Sequence, residues 1–253
     1  MRRAFTILEL LIAIALITLL AALLLPAVTR AREHSKAANC LTNLRQLGQA
    51  AVAYAQVYDG SFPISSYQNG LDWDFDARTQ PVKAGILWMG ATPLAVKQCP
   101  SYDRRSTLLT DPFTGYNYNT SYIGGGAGEF TPLGHPHITP ARIASVHDAA
   151  RVALFGDGQY YGGTDKYMRA PILMAGTDIG DGVDFLTRAA GTQGCRHLGR
   201  TNVCYCDGHA ESVGEGYTAV GTNTGGSVVY SPVVIGSGTG FLSRDNSAYD
   251  GGR

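Results

Sequence analysis

Hydrophobic positions along the chain fall into three patterns, and each predicts a different element. From Leu10 to Thr29 no residue is charged, and the run LLIAIALITLLAALLLPAVT is 20 residues long. At about 1.5 Å per helical residue, it spans the roughly 30 Å hydrocarbon core of a bilayer. After Arg30 the pattern turns amphipathic: Cys40, Leu44, Leu47, Ala51, Tyr54 or Ala55, and Tyr58 recur at spacings of three and four and share one helical face. Asp59-Gly60 then supplies a turn and Phe62-Pro63 a break. One helix is therefore expected from Phe5 to about Tyr58, with residues 5–29 in a membrane and residues 30–60 packed on a domain. Beyond Ser61 the apolar runs are short, such as Val152–Phe155, Asn202–Cys206 and Ser227–Ile235. Turn pairs Asp157-Gly158, Asp181-Gly182 and Asp207-Gly208 punctuate them, so residues 61–253 read as a mainly antiparallel sheet with long loops. The fold class is α+β.

Arg2 and Arg3 precede the apolar run, and the positive-inside rule leaves the N-terminus in the cytoplasm and the rest outside; Arg30 and Arg32 on the far side reduce that bias. Three processing schemes compete: a cleaved secretory signal, a plain single-pass anchor and a processed anchor. Ala27-Val28-Thr29 is a poor signal-peptidase site. Glu9 is the anomaly. A carboxylate near the start of an apolar helix costs about 2.5 to 3.5 kcal/mol on insertion scales, so it is functional, paired, or snorkelling to the interface.

The string Arg2-Arg3-Ala4-Phe5-Thr6-Ile7-Leu8-Glu9-Leu10-Leu11 resembles the type III signal of type IV pilins and type II secretion pseudopilins. There, a short basic leader ends in a small residue before Phe-Thr-Leu-Ile-Glu. The resemblance implies a leader of residues 1–4, cut by a prepilin peptidase between Ala4 and Phe5, and methylation of the Phe5 amine. Ala4 stands where Gly is commoner. Glu9 would pair with the Phe5 amine of an adjacent subunit in a low-dielectric filament core, setting register, since a buried charge is tolerated only when paired. Pro26 lacks an N–H and clashes with the preceding turn, so a kink or local melting is expected; the equivalent residue marks an unwound segment in assembled pilins. A tolerated membrane-helix proline is the alternative.

Two further segments extend the resemblance. Cys40-Leu41-Thr42-Asn43-Leu44-Arg45-Gln46-Leu47-Gly48 is similar to the helix of a large bacterial subgroup, and His197 followed by nine residues and Asp207-Gly208 matches the signature of a pilin-like family associated with prepilin processing; Gln98-Cys99-Pro100-Ser101 belongs with them. The implied shape is a lollipop, one long N-terminal helix packed on an antiparallel β-sheet head. The implied role is a structural filament subunit, made as a single-pass inner-membrane precursor with its head outside the cytoplasm, then moved into a periplasmic or extracellular filament. Its partners would be identical or related subunits, the prepilin peptidase and the inner-membrane assembly platform. A singly anchored exported binding or hydrolytic domain using the same signal is the competing expectation.

Charge and composition narrow this further. Lys+Arg and Asp+Glu are 20 each, so no overall positive charge exists to neutralise a phosphate backbone, and nucleic acid is not an expected partner. Loss of Arg2 and Arg3 leaves 18 basic residues against 20 acidic ones, a mildly acidic mature chain. Charged residues make up only 16%, against about 25% in an ordinary soluble domain. Much of that deficit lies in the apolar helix and in residues 216–243, which carry no charge and read as a buried strand pair with glycine loops or as a subunit contact.

The densest constellation is Cys195-Arg196-His197 with Asn202-Val203-Cys204-Tyr205-Cys206-Asp207-Gly208-His209. Asp207-Gly208 suits a two-residue type I′ turn, joining Asn202–Cys206 to residues 209–213, with His197 hydrogen-bonding across to Asp207. Cys204, Cys206, His197 and His209 form a zinc-type alternative, and Asp157 with Asp207 a calcium alternative; no metal or cofactor is assigned. Five cysteines in an exported chain allow at most two bridges, Cys40–Cys99 first and Cys195 with Cys204 or Cys206 second. The first would staple helix to head and contribute about 3 to 5 kcal/mol in the chain-entropy model. Catalysis is not expected: His34, His135 and His137 have no adjacent nucleophile with an orienting partner, residues 124–128 lack the Lys-Ser/Thr of a phosphate loop, and no C-x-x-C-H haem motif occurs.

Overall fold

In the computed structural model the described residues are 6–67, 70–78, 81–88, 98–102, 114–125, 139–159, 163, 166–171, 192–214 and 238–250. The long helix α1 (Ile7–Val57) runs without a break for 51 residues, about 75 Å at the standard rise. Its sequence divides it in two. Ile7, Leu10, Ile14, Leu20 and Leu25 are all at least half exposed, so the first half presents apolar side chains all round, as no helix in water does. In the second half Cys40, Leu44, Leu47, Gly48, Ala51 and Ala55 form one buried stripe at spacings of three and four. Tyr58, expected on that stripe, is the C-cap and stands outside, stacked on Tyr54 with ring centroids 4.1 Å apart.

The head is built on a five-stranded sheet. Its members are β5 (Tyr116–Asn119), β6 (Ala153–Asp157), β7 (Tyr167–Met168), β9 (Thr201–Tyr205) and β10 (Ala210–Val213), in the order β10-β9-β6-β5-β7. Pairings are antiparallel except for β5 with β7, which makes one parallel edge in a sheet expected to be antiparallel. Two smaller antiparallel sheets flank it: β1 (Ser66–Tyr67), β2 (Leu71–Asp72), β3 (Phe75–Asp76) and β4 (Lys83–Ala84), then β8 (Gln193–Gly194) with β11 (Thr239–Gly240). The arrangement is an α+β lollipop, a long helix with a sheet-rich head at one end.

The central strands are buried on both faces because something apolar covers each. The stripe of α1 lies over β9, β6 and β10, and packs Leu44 and Leu47 with Leu154, Phe155 and Cys204. Ala153 and Val203 face the other way, onto Met168, Phe241 and Tyr249. A bulge between Ala153 and Phe155 sets Leu154 and Phe155 in the same cluster, in place of strict alternation. Deeper in the head, Lys166 is almost fully buried and its Nζ lies 3.0 Å from Asp72 and 3.1 Å from Asp74, so its charge is compensated where water cannot reach it.

Candidate functional site

Among the described residues two regions carry chemistry: the start of α1 and a buried cluster where α1 meets the head. At the start, Thr6 is the N-cap. Its Oγ1 accepts from the Glu9 N–H at 3.2 Å, while the Glu9 carboxylate accepts from the Thr6 N–H at 2.9 Å and from its hydroxyl at 2.8 Å. This reciprocal capping box satisfies two helix-end donors and gives the Glu9 carboxylate two hydrogen bonds, both from Thr6. The Thr-x-x-Glu spacing that signals it is visible in the sequence, where the unusual charge of Glu9 overshadows it. Ala4 and Phe5 lie outside the described residues. Pro26 sits inside α1, and the helix is continuous through it, so local melting is not a property of this single chain. One missing hydrogen bond in a long helix leaves the flanking turns to hold the segment.

The cluster gathers four side chains from four distant parts of the chain. Cys40 comes from the buried stripe of α1, Cys99 from the segment hydrogen-bonded to Thr114 ahead of β5, Asp157 from the end of β6, and His197 from the turn between β8 and β9. The Cys40 thiol donates to Asp157 Oδ1 at 3.1 Å, Cys99 Sγ lies 3.5 Å from His197 Nε2, and that same Nε2 lies 3.3 Å from Asp157 Oδ2. None of the four is more than 2% exposed. Oδ2 also accepts from the Asn202 N–H at 2.8 Å, and the Arg196 guanidinium stands 3.4 Å from Oδ1 while donating to the Gly115 and Gly158 carbonyls.

Local sequence explains why these groups meet. Asn43 donates from Nδ2 to the Gln98 carbonyl and to Tyr116 Oη, both at 3.2 Å, and so pins the Cys99 segment to the helix one turn beyond Cys40. Asn202 Nδ2 donates to the Ala37 carbonyl at 3.1 Å, one turn before Cys40. His197 is held by a two-residue turn in which His197 and Arg200 exchange backbone hydrogen bonds at 3.1 Å. Leu198 and Gly199 have φ of 56° and 79°, the positive pair a type I′ turn requires. For a leucine that conformation is strained, and strain of this kind collects where a side chain must be aimed.

Electrostatics inside the cluster is dominated by burial and by the close pairs. The hydrogen bond shared with Cys40 draws the Cys99 thiol down to about 5, burial opposes it, and His197 adds to the fall. Burial pushes the Cys40 thiol upward, reinforced by Cys99 and Asp157. Burial also disfavours charge on His197, but Asp157 and Cys99 beside its Nε2 outweigh that and raise it to about 9. Asp157 is pushed up by burial, yet Arg196 and His197 overcome this and hold it below the usual carboxylate range.

The signature residues separate. His197 meets Asp157 and Cys99 instead of the expected Asp207, whose carboxylate is on His209: Oδ1 accepts from the His209 N–H at 3.0 Å and lies 2.6 Å from Nδ1. The β9–β10 hairpin is not a two-residue type I′ turn either. Gly208 N–H donates to the Tyr205 carbonyl at 2.9 Å, Tyr205 N–H to His209 at 2.9 Å, and only Gly208, at φ 90°, is left-handed. That is a three-residue loop closing on a glycine bulge, in which Asp207 keeps an ordinary φ. The turn leans on Val152 and Ala149 through the Cys206 and Asp207 N–H groups.

The cysteines and the other metal alternatives also differ from expectation. All five cysteines are free thiols, so neither proposed bridge is formed, although Cys40 and Cys99 do meet. Cys204 packs on Gly48 of α1, whose missing Cβ makes room for its sulfur, while Cys195 bonds through its N–H to Gly238 on the small sheet beside β11. Of the zinc-type set Cys204, Cys206, His197 and His209, only His197 enters the cluster; His209 is stacked on Tyr205 at 4.5 Å. Asp157 and Asp207 do not form a calcium pair, because they lie at opposite ends of β6: Asp157 is its last residue, and Asp207 follows the strand whose Tyr205 pairs with Ala153. His135, His137, residues 126–128, Asp181-Gly182 and Ser227–Ile235 lie outside the described residues. No family model, no curated protein and no solved structure matches the chain.

Proposed function

We propose that this protein is the precursor of a filament subunit of the type IV pilin and type II secretion pseudopilin superfamily, a structural part and not an enzyme. The observation that carries this reading is the helix itself. One continuous element combines a bare apolar half, long enough to cross a bilayer, with a half that forms the core of a head. A bare apolar surface of that size is stable only in lipid or against other apolar helices, and a filament core supplies the second environment after the membrane supplies the first. The residues 2–11 that resemble the type III signal sit at the end where processing must occur. In this reading prepilin peptidase cuts between Ala4 and Phe5, and Glu9 exchanges its own cap at Thr6 for the Phe5 amine of a neighbour during assembly. The polymer is then built from the N-terminal helices, with the heads outside.

Glu9→Ala tests this directly. The expected result is normal removal of residues 1–4, checked by N-terminal mass spectrometry, with loss of surface fibres in electron micrographs. Normal fibres from the processed variant would contradict it and favour a singly anchored exported domain.

A further inference from the structure

We propose that Cys40, Cys99, Asp157 and His197 form a structural zinc site that clasps the long helix to the head. This proposal does not depend on the filament reading.

The geometry comes first. The four ligand atoms lie within 4.8 Å of one another, which leaves room for one ion and little else. Around a tetrahedral zinc with bonds of about 2.0 to 2.3 Å, neighbouring ligand atoms are separated by about 1.6 bond lengths, roughly 3.3 to 3.8 Å. Cys99 Sγ–His197 Nε2 at 3.5 Å and His197 Nε2–Asp157 Oδ2 at 3.3 Å match two edges of such a tetrahedron, and Cys40 Sγ stands 3.1 Å from Oδ1, the other oxygen of the same carboxylate.

His197 discriminates between uses of the cluster. A Cys-His-Asp nucleophile needs the imidazole between thiol and carboxylate, one nitrogen on each. Here the same nitrogen, Nε2, faces both Cys99 and Asp157, and Nδ1 has no hydrogen-bond partner among the described residues. One N–H cannot serve both directions well, whereas a lone pair aimed at an ion between them serves all. A disulfide between Cys40 and Cys99 would use two of the four groups and leave His197 to pair with Asp157 alone, whereas an ion engages all four.

Charge and softness select the ion. Two thiolates, one carboxylate and a neutral imidazole around a divalent cation sum to one negative charge, and Arg196 beside Asp157 brings the buried assembly to neutrality. A set of two sulfurs, one nitrogen and one oxygen suits zinc and not calcium, which takes six to eight oxygens. All four ligands are sealed from solvent, so the site has no open position for a substrate and is structural. Supporting contacts fix two of the ligands: Asn202 N–H and Arg196 orient Asp157, and the strained Leu198-Gly199 turn aims His197. Since Cys40 belongs to α1 and the other three to the head, the ion ties one to the other.

The test uses the full-length chain in detergent micelles, purified without chelator. Elemental mass spectrometry should find one zinc per chain, and cobalt exchanged into the wild type should give the intense visible absorption of a tetrahedral thiolate site. Stripping the metal should lower the melting midpoint by roughly 10 °C. His197→Ala and Cys99→Ser should each reduce bound zinc at least tenfold, while Cys206→Ser, an equally buried thiol outside the set, should retain it. The cobalt spectrum needs no variant, so failure of a variant to fold leaves the proposal testable. Absence of stoichiometric zinc and of the cobalt bands, with a Cys40–Cys99 cross-linked peptide in non-reducing maps, would overturn it. So would loss of zinc in Cys206→Ser as complete as in His197→Ala.

Discussion

Gly48 shows how much a single residue decides at the junction of helix and head. A glycine inside a helix costs about 1 kcal/mol relative to alanine, so alanine there would be favoured by propensity alone. Tertiary packing reverses the sign. A Cβ at Gly48 would stand inside contact distance of Cys204 Sγ and 3.6 Å from Gly208 Cα, in a region where Cys204 is wholly buried. Overpacking of this kind costs about 1 to 3 kcal/mol, which offsets the propensity gain. Gly48→Ala is therefore expected to destabilise the chain by about 1 kcal/mol net, read as a fall of a few degrees in the melting midpoint. Combining it with Cys204→Ala should recover part of that loss, and strict additivity in the double-variant cycle would contradict the contact.

At the scale of elements, the His-x(nine)-Asp-Gly segment divides its labour between two turns. His197 belongs to the Leu198-Gly199 turn and to the cluster beneath α1, whereas Asp207 and Gly208 shape the β9–β10 loop that leans on Ala149 and Val152. Their energetic weights differ. Gly208 has nothing within 4 Å of where a Cβ would be, so Gly208→Ala carries only the left-handed backbone cost of about 1 to 2 kcal/mol. Asp207 makes a half-exposed pair with His209, the kind of contact measured at about 0.2 to 1 kcal/mol. Gly208→Ala should therefore lower stability more than Asp207→Ala, measured by thermal or denaturant unfolding; the reverse order would contradict the turn assignment.

What the sequence made legible at this scale is what local spacing encodes. The three-and-four periodicity of Cys40, Leu44, Leu47 and Ala51 placed the packed face of α1, and the turn pairs placed the hairpin. Long-range partners were a different matter. The sequence suggests Cys40 and Cys99 as neighbours, but as a disulfide, because nothing near either of them in sequence announces Asp157 or His197. Proximity on one short segment suggests His197 with Asp207; the strand register that carries Asp207 to the far end of β6 is set by pairing with Ala153 and Phe155. The type I′ turn was expected at Asp-Gly, where composition favours it, and occurs at Leu-Gly, where only tertiary constraint can hold a leucine. Thr6-x-x-Glu9 is the opposite case, a local signal eclipsed by the larger anomaly of a carboxylate in an apolar run.

For the molecule as a whole, the division of α1 is the central fact. Its second half is held by the head through Leu44, Leu47, Asn43 and Cys40, with Arg45 Nη2 donating to the Ala210 carbonyl at 3.2 Å. Its first half has no cover from the described residues of its own chain. A molecule built this way is complete only in another apolar environment, and the proposed filament provides one in which every copy covers its neighbours. The few charges of the chain fit that role: the helix carries none between Leu10 and Thr29, and Glu9 marks the boundary. The most direct measurement is mass spectrometry of the subunit in sheared surface fibres. The account predicts this chain in the fibres, beginning at a methylated Phe5. Recovery of the chain only from the membrane fraction, with residues 1–4 still attached and no fibres containing it, would contradict it.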